Sequence, residues 1–364
     1  MRSRGFASTL GCFLLLLVAA RADVVGDALT DLAGPDNTKQ LLAVLALRTS
    51  TDTRIPAALM ARAQDPQTTL SVRSACLKEL TTRQVLQAEP LFLQIASNPQ
   101  EPLAVRGPAM EGLMVVGKSK HAEFFVKLIR EDKSRPVKEQ AAMVLGALGA
   151  ADPNVISTIL PLLDDVTTAP YAIGALGLSR QTSAVPGLIK QLNNENASVR
   201  ISVIQALASL GDRLATEPMM ALLAKGGDDY QRVTLVAALG SLKDPKAVPT
   251  LAALAKDGGA PDSLRQRAIM SLGRINSPDA LPVLIQLAGS PGQAMQLRQV
   301  AVGALGDFGD AAIPTLLESL SEKGLANEAS LALSRITGRY LGTDKDAWTK
   351  CCNEYLQRKR LQPR

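Results

Sequence analysis

Histidine occurs once in the 364 residues, tryptophan once, cysteine four times, and aromatic side chains make up only 3% of the chain. Each shortage removes a class of function. The single His121 cannot build a histidine-rich metal cluster, and no His/Cys group has the spacing of a zinc site. A Ser-His-Asp triad would have to form around His121 with no supporting motif beside it. Scarce aromatics leave little with which to line a small-molecule pocket. The cysteines, Cys12, Cys76, Cys351 and Cys352, make no disulfide framework. Charge of one sign is also in short supply: the formal net charge is +6, without the clustered basic footprint that nucleic acid demands. Only the tail 358-RKRLQPR-364 is locally basic, and it reads as a solvated terminus.

What remains is aliphatic. Hydrophobic residues make up 46% of the chain, nearly all of them small or medium, which suits stacked helices. The first residues read as an export signal. Arg2 and Arg4 precede the apolar run 13-FLLLLVAA-20, and Ala20-Arg21-Ala22 fits a small-x-small cleavage site before Asp23. Cys12 lies before that run, which excludes lipidation. Cleavage removes Arg2, Arg4 and Arg21 and no acid, lowering the formal charge to +3. The expected location is periplasmic or extracellular, with no membrane span after cleavage.

The rest of the chain repeats itself. The phrases 185-VPGLIKQL-192, 248-VPTLAAL-254, 281-LPVLIQL-287 and 313-IPTLLESL-320 are variants of one another, and Pro186, Pro218, Pro249, Pro282 and Pro314 recur at a spacing near 32. Proline is tolerated in the first turn of a helix, so each phrase begins a helix, A. Between these phrases run 105-VRGPAMEGLMVVG-117, 137-VKEQAAMVLGALG-149, 199-VRISVIQALASLG-211, 264-LRQRAIMSLGRIN-276 and 297-LRQVAVGALGDFG-309. Their basic residues, with that of the preceding repeat, fall at Arg73, Arg106, Lys138, Arg200, Arg232, Arg265 and Arg298, in steps of 33, 32, 62, 32, 33 and 33. Apolar residues at −1, +3, +4, +7 and +10 from each basic residue form the buried stripe of a second helix, B. A glycine or small polar residue eleven positions on (Gly117, Gly149, Gly177, Gly211, Asn276, Gly309) is expected to supply a left-handed C-cap. At 150–180 the pattern falters: Pro170 occupies an interior position of helix B and should start that helix late.

Two helices per ~32 residues, about nine times over, predict an all-α fold, a right-handed α-α superhelix that buries its core by stacking neighbours. The expected organisation is a signal peptide over 1–22, N-terminal capping helices over 23–51, repeats over 52–338, and a C-terminal cap with a basic tail over 339–364. The phrases AVPxLIxxL and VRxxAxxALGxxG resemble HEAT repeats of the phycobilisome-lyase-like subtype, across about residues 37–338. The closing phrase 336-ITGRYLGTDKDAW-348 is similar to that of exported HEAT proteins of planctomycete-like bacteria, which place aromatics near the positions of Cys351 and Cys352. The His/Glu-rich di-iron set of deoxyhypusine hydroxylase, an enzyme on similar repeats, cannot be assembled from one histidine.

Candidate sites follow from the repeat. Asp229, Asp262 and Glu195-Asn196 precede basic residues as N-cap types. The basic column is therefore expected to form a structural ladder of Asp–Arg hydrogen bonds between neighbouring repeats. Cys76 stands at a core position as a small hydrophobe. Solvent-facing positions of helix B, namely Ser202, Gln205, Ser209, Thr234, Ala238, Ser241 and Arg267, would line a curved inner surface suited to an extended protein or peptide segment. Tyr340, Leu341 and Trp348 would cover the open end of the last repeat, with Thr343 or Asp344 capping a closing helix. Adjacent Cys351 and Cys352 are a candidate for a strained vicinal disulfide. The reading is a non-catalytic binding or scaffolding protein without catalytic, metal or cofactor residues. The alternative is an enzyme or enzyme-associated subunit on a lyase- or hydroxylase-like scaffold.

Overall fold

A computed structural model describes residues 24–361. The region read as a signal peptide, with Cys12, lies outside the described residues, as do 362–364. The described chain is helical, with no strand among its residues, and divides into two compact units that meet in sequence at Ser179 and Arg180.

In the first unit, a helix over 24–33 and the helix Asn37–Leu47 precede four A/B hairpins. The hairpins are Ile55–Gln64 with Leu70–Thr82, Glu89–Ser97 with Leu103–Gly117, Ala122–Glu131 with Arg135–Ala151, and Val155–Ile159 (extended by a 3-10 turn) with Ala169–Leu178. Pro170 falls in the first turn of the last helix, which is only ten residues long. The second unit holds five hairpins. They are Val185–Lys190 with Ala197–Leu210, Thr216–Ala224 with Asp229–Leu242, Val248–Lys256 with Asp262–Ile275, Ala280–Gly289 with Met295–Leu305, and Ile313–Ser319 with Ala326–Thr337; Lys345–Leu361 closes the unit.

The turns explain where the helices begin. After most A helices an Asp or Asn side chain accepts the backbone N–H two residues on: Asp65 from Gln67, Asn98 from Gln100, Asp132 from Ser134, Asp165 from Thr167, Asn194 from Asn196 and Asp257 from Gly259. Such Asx turns reverse the chain without using a backbone partner. Asp152, Asp212 and Asp244 do the same between repeats. The stretch Met295–Ser319 has the length and apolarity of a membrane span. Gly309, at φ 58° and ψ −133°, breaks it into one B helix and the next A helix.

The expected left-handed caps hold at Gly211 (φ 71°, ψ 12°) and Asn276 (φ 51°, ψ 41°). Three of the glycines serve otherwise. Gly117 stays right-handed at φ −97°, and Lys118 takes the positive φ. Gly149 and Gly177 lie inside their helices, and Arg180 turns the chain after the latter. What Gly149 and nearby Gly146 supply is room: a Cβ on Gly146 would lie 2.8 Å from Leu178 Cβ and 2.9 Å from the Ala175 carbonyl, and one on Gly149 3.1 Å from Ser179 Cβ. Neighbouring B helices approach too closely here for a side chain.

The core is the predicted aliphatic stripe. From Arg298, Leu297, Ala301, Val302 and Leu305 are buried, while Phe308 is half-buried. Cys76 is fully buried in the corresponding stripe of Leu70–Thr82, and burial pushes its thiol up to about 12.

Candidate functional site

The basic column makes the rungs, though with partners other than the residues that precede it. Arg73 Nε donates to the Ala63 carbonyl at the end of its own A helix (2.9 Å), while its two terminal nitrogens grip Glu101 in the next repeat's turn at 2.8 and 2.6 Å. Arg106 repeats this with the Ala96 carbonyl (2.9 Å) and Asp132. Arg265 uses the Ala255 carbonyl (3.3 Å) and the Gln293 side chain. Arg298 takes the Ala288 carbonyl (2.8 Å) and both oxygens of Glu322 (2.6 and 2.5 Å). Arg200 reaches Gln231 instead (2.8 Å). Planar guanidinium suits this task because one face of the fork closes its own hairpin while the other clamps the next.

The expected Asp–Arg ladder therefore needs correction at the acceptors. Asp262 accepts only from Arg265 three residues on (3.2 Å), and Asp229 makes only a longer ion pair with Arg232 (3.8 Å). Glu195 offers Arg200 its backbone carbonyl, and Asn196 caps its helix through the Ser198 N–H. Arg232 and Lys138 stay within their own repeats, Lys138 meeting the Arg130 carbonyl at 3.4 Å. A cation consumed in a buried rung is not free to hold a ligand, which separates the ladder from the candidate binding face.

That face lies on the exposed side of the B helices. In the second unit a groove of 370 Å³ between Ala197–Leu210 and Asp229–Leu242 gathers Gln205, Thr234, Ser241 and Arg267, together with Tyr230. Ser202 and Thr234 are half-buried, and their hydroxyls return to the carbonyls four residues back, as does that of Ser241. Ala238, read as solvent-facing, is in fact 3% exposed. Ser202 and Ser209 do not line the groove. A larger groove, 630 Å³, runs across the helices Asp262–Ile275, Met295–Leu305 and Ala326–Thr337. Its apolar lining includes Met270, Val300 and Leu331, and its charges are Arg274, Asp307, Glu328 and Arg335. Gly303 carries no side chain into it, and Arg335 donates to the Gly303 carbonyl at 2.5 Å. These residues hold the same helical positions as Ser202, Gln205 and Ser209 in later repeats; carrying that register two helices further would have found them.

At the C-terminal end, Trp348 is fully buried and donates its Nε1–H to the Gly342 carbonyl at 2.8 Å. Asp344 caps the closing helix through the N–H groups of Asp346 and Ala347. Tyr340, expected to share the lid, is 73% exposed, because Gly338 at φ 72° turns the chain outward just before it. Cys351 and Cys352 are free thiols. Cys352 is buried one turn beyond Trp348, and burial raises its thiol to about 11. Native-state alkylation read by mass should therefore label Cys351, and reach Cys76 and Cys352 only after denaturation. No group of three or more His, Cys, Asp or Glu side chains converges to hold a metal ion among the described residues.

The fold and its rungs define an all-α solenoid of stacked helical hairpins. The HEAT repeats family model matches residues 156–233, 216–294 and 258–334, and the chain carries HEAT repeats through that region. Among solved structures, the chain is similar to Kap95p in its complex with RanGDP, at 13% identity and a TM-score of 0.60 over 94% of this chain and 53% of that one. Importin beta is matched at 14% identity and a TM-score of 0.55, over 93% and 54% of the two chains. This chain thus spans about half the length of either. The CpcE–CpcF phycocyanin lyase complex of Nostoc shares 19% identity at a TM-score of 0.38, over 64% of this chain and 94% of that one. Comparison with curated proteins gives no match.

Proposed function

We propose that the chain is an exported, non-catalytic HEAT protein that binds a partner protein through the exposed face of its B helices. The observation carrying this reading is the pair of grooves in the second unit, 370 and 630 Å³, open and lined by apolar and polar side chains of successive repeats. Met270, Leu331 and Tyr230 there are 39%, 51% and 63% exposed, and apolar side chains exposed along a preformed surface are what a partner would cover. The non-catalytic part is supported by the thiols, which burial holds protonated at Cys76 and Cys352. Export rests on the basic, apolar and small-x-small order of residues 1–22, and on the closing phrase that ends at Trp348. Kap95p, a fold neighbour, binds RanGDP in its solved complex.

Photocross-linking in the native envelope tests the reading. A benzophenone amino acid at Leu331 or Tyr230 should trap one and the same protein. At Glu217, exposed on an A helix, it should trap none. Equal labelling from all three positions, or none from the two groove positions, would overturn it.

A further inference from the structure

The helix Asp262–Ile275 separates the two grooves, and its exposed stripe has a specific chemistry. Arg267, Met270 and Arg274 stand three and four residues apart, so they share one face. Arg267 lines the 370 Å³ groove, while Met270 and Arg274 line the 630 Å³ groove. Unlike Arg265 in the ladder, or Arg335 held by Asp307 and the Gly303 carbonyl, neither of these guanidinium groups has a hydrogen bond or ion pair among the described residues. The face therefore presents two uncommitted cations on either side of a 39% exposed methionine.

We propose that this stripe docks an amphipathic helix of the partner protein that carries two carboxylates seven residues apart with an apolar side chain between them. The proposal rests on the protein-binding reading of the B-helix face. Spacing selects the helix. Seven residues of helix span ~10.5 Å, so a partner helix with acids at i and i+7 and a leucine at i+3 or i+4 repeats the distances of the stripe. An extended strand sets same-face side chains ~6.6 or ~13 Å apart and falls out of register with one arginine. Charge selects the acids, since bidentate guanidinium–carboxylate pairs are strong when partly desolvated. Asp307 and Glu328 line the far side of the 630 Å³ groove and repel carboxylates from that side, which confines the acidic edge to Asp262–Ile275. Met270 and Leu331 then receive the apolar edge.

Fluorescence anisotropy with the full chain tests this. The probe is a stapled helical peptide with Glu seven residues apart and Leu between. Its controls are the same peptide with Lys for Glu, and an unstapled acidic peptide broken by a central proline. The acidic helix should bind about tenfold or more tighter than either control. Arg267→Ala with Arg274→Ala should erase that preference, and added salt should weaken it. Equal binding of the lysine peptide, or no effect of the double variant, overturns the acidic partner; equal binding of the proline-broken peptide overturns the helix. If no peptide binds while cross-linking from Leu331 succeeds, this proposal fails and the wider reading stands. If cross-linking fails too, both fall.

Discussion

Arg106→Ala is expected to destabilise the first unit by about 3–5 kcal/mol, the usual loss when one partner of a buried ion pair is removed. Arg106 is 2% exposed, and the side chain of Asp132 is 7% exposed. The truncation strands both that carboxylate and the Ala96 carbonyl, which accepts from Arg106 Nε at 2.9 Å. Neighbouring repeats are held by nearest-neighbour interfaces. The loss should therefore concentrate in Glu89–Ser97, Leu103–Gly117 and Ala122–Glu131, which hydrogen exchange can localise while urea titration followed by circular dichroism reads the magnitude. Trp348 lies in the other unit, so its fluorescence is a poor reporter of this change. Arg106→Lys keeps the charge but loses the fork and should fall between the two.

The same rung carries an acid dependence with a definite sign. Burial pushes the Asp132 carboxyl up, but the hydrogen bonds from Arg106 and the Ser134 N–H, with their positive surroundings, hold it below its ordinary 3.8. A carboxyl depressed in the folded state contributes stability that is fully present above its unfolded value. That contribution is lost as pH falls through the folded one. The gap between wild type and Arg106→Ala should accordingly be wide at neutral pH and narrow below about pH 4. A gap that stays constant down to pH 2 would show that Asp132 takes no part in the rung.

Periodicity made the repeat legible because a buried stripe and a first-turn proline are local patterns. Leu297, Ala301, Val302 and Leu305 could be assigned to the core from their spacing alone, and are buried. The acceptors of the ladder were harder. Asp262 and Asp229 stand next to their arginines in sequence, whereas Glu101 and Glu322 reach Arg73 and Arg298 across 28 and 24 residues. Only the stacking of one hairpin on the next brings them together. A signal was present: the turns are marked by recurring Asp and Asn at 65, 98, 132, 165 and 194, and those at 98 and 132 supply the acceptors of Arg73 and Arg106 in the repeat before. Glycine was ambiguous for a physical reason. The residue that permits a left-handed cap at Gly211 also permits a close helix crossing at Gly146, and periodicity cannot tell a turn from a contact. On the candidate binding face, Gln205, Thr234, Ser241 and Arg267 were placed by register, and the same register carried on to Met270, Gly303 and Leu331 reaches the second groove.

Trp348→Ala should cost about 3–5 kcal/mol of local stability at the C-terminal end, the range for emptying a large aromatic site in a core. The indole is fully buried where the closing helix Lys345–Leu361 meets Ile313–Ser319 and Ala326–Thr337. Its N–H anchors the Gly342 carbonyl, which also accepts from Ser330 Oγ. Without the ring, the remaining attachments are the half-buried face around Cys352 and the exposed contacts of Lys345 with Ser321 and Lys359 with Asp310. Exposed pairs of that kind contribute little. The helix should then release from the last hairpin, opening 338–345 to limited proteolysis and raising hydrogen exchange in Ala326–Thr337, while the first unit stays protected. Trp348→Phe keeps most of the buried area and loses one hydrogen bond, about 1 kcal/mol. Tyr340→Ala, at a 73% exposed position, should change stability by less than about 0.5 kcal/mol. If Tyr340→Ala instead released the closing helix as readily as Trp348→Ala, the end of the solenoid would be sealed by both aromatics and not by the tryptophan alone.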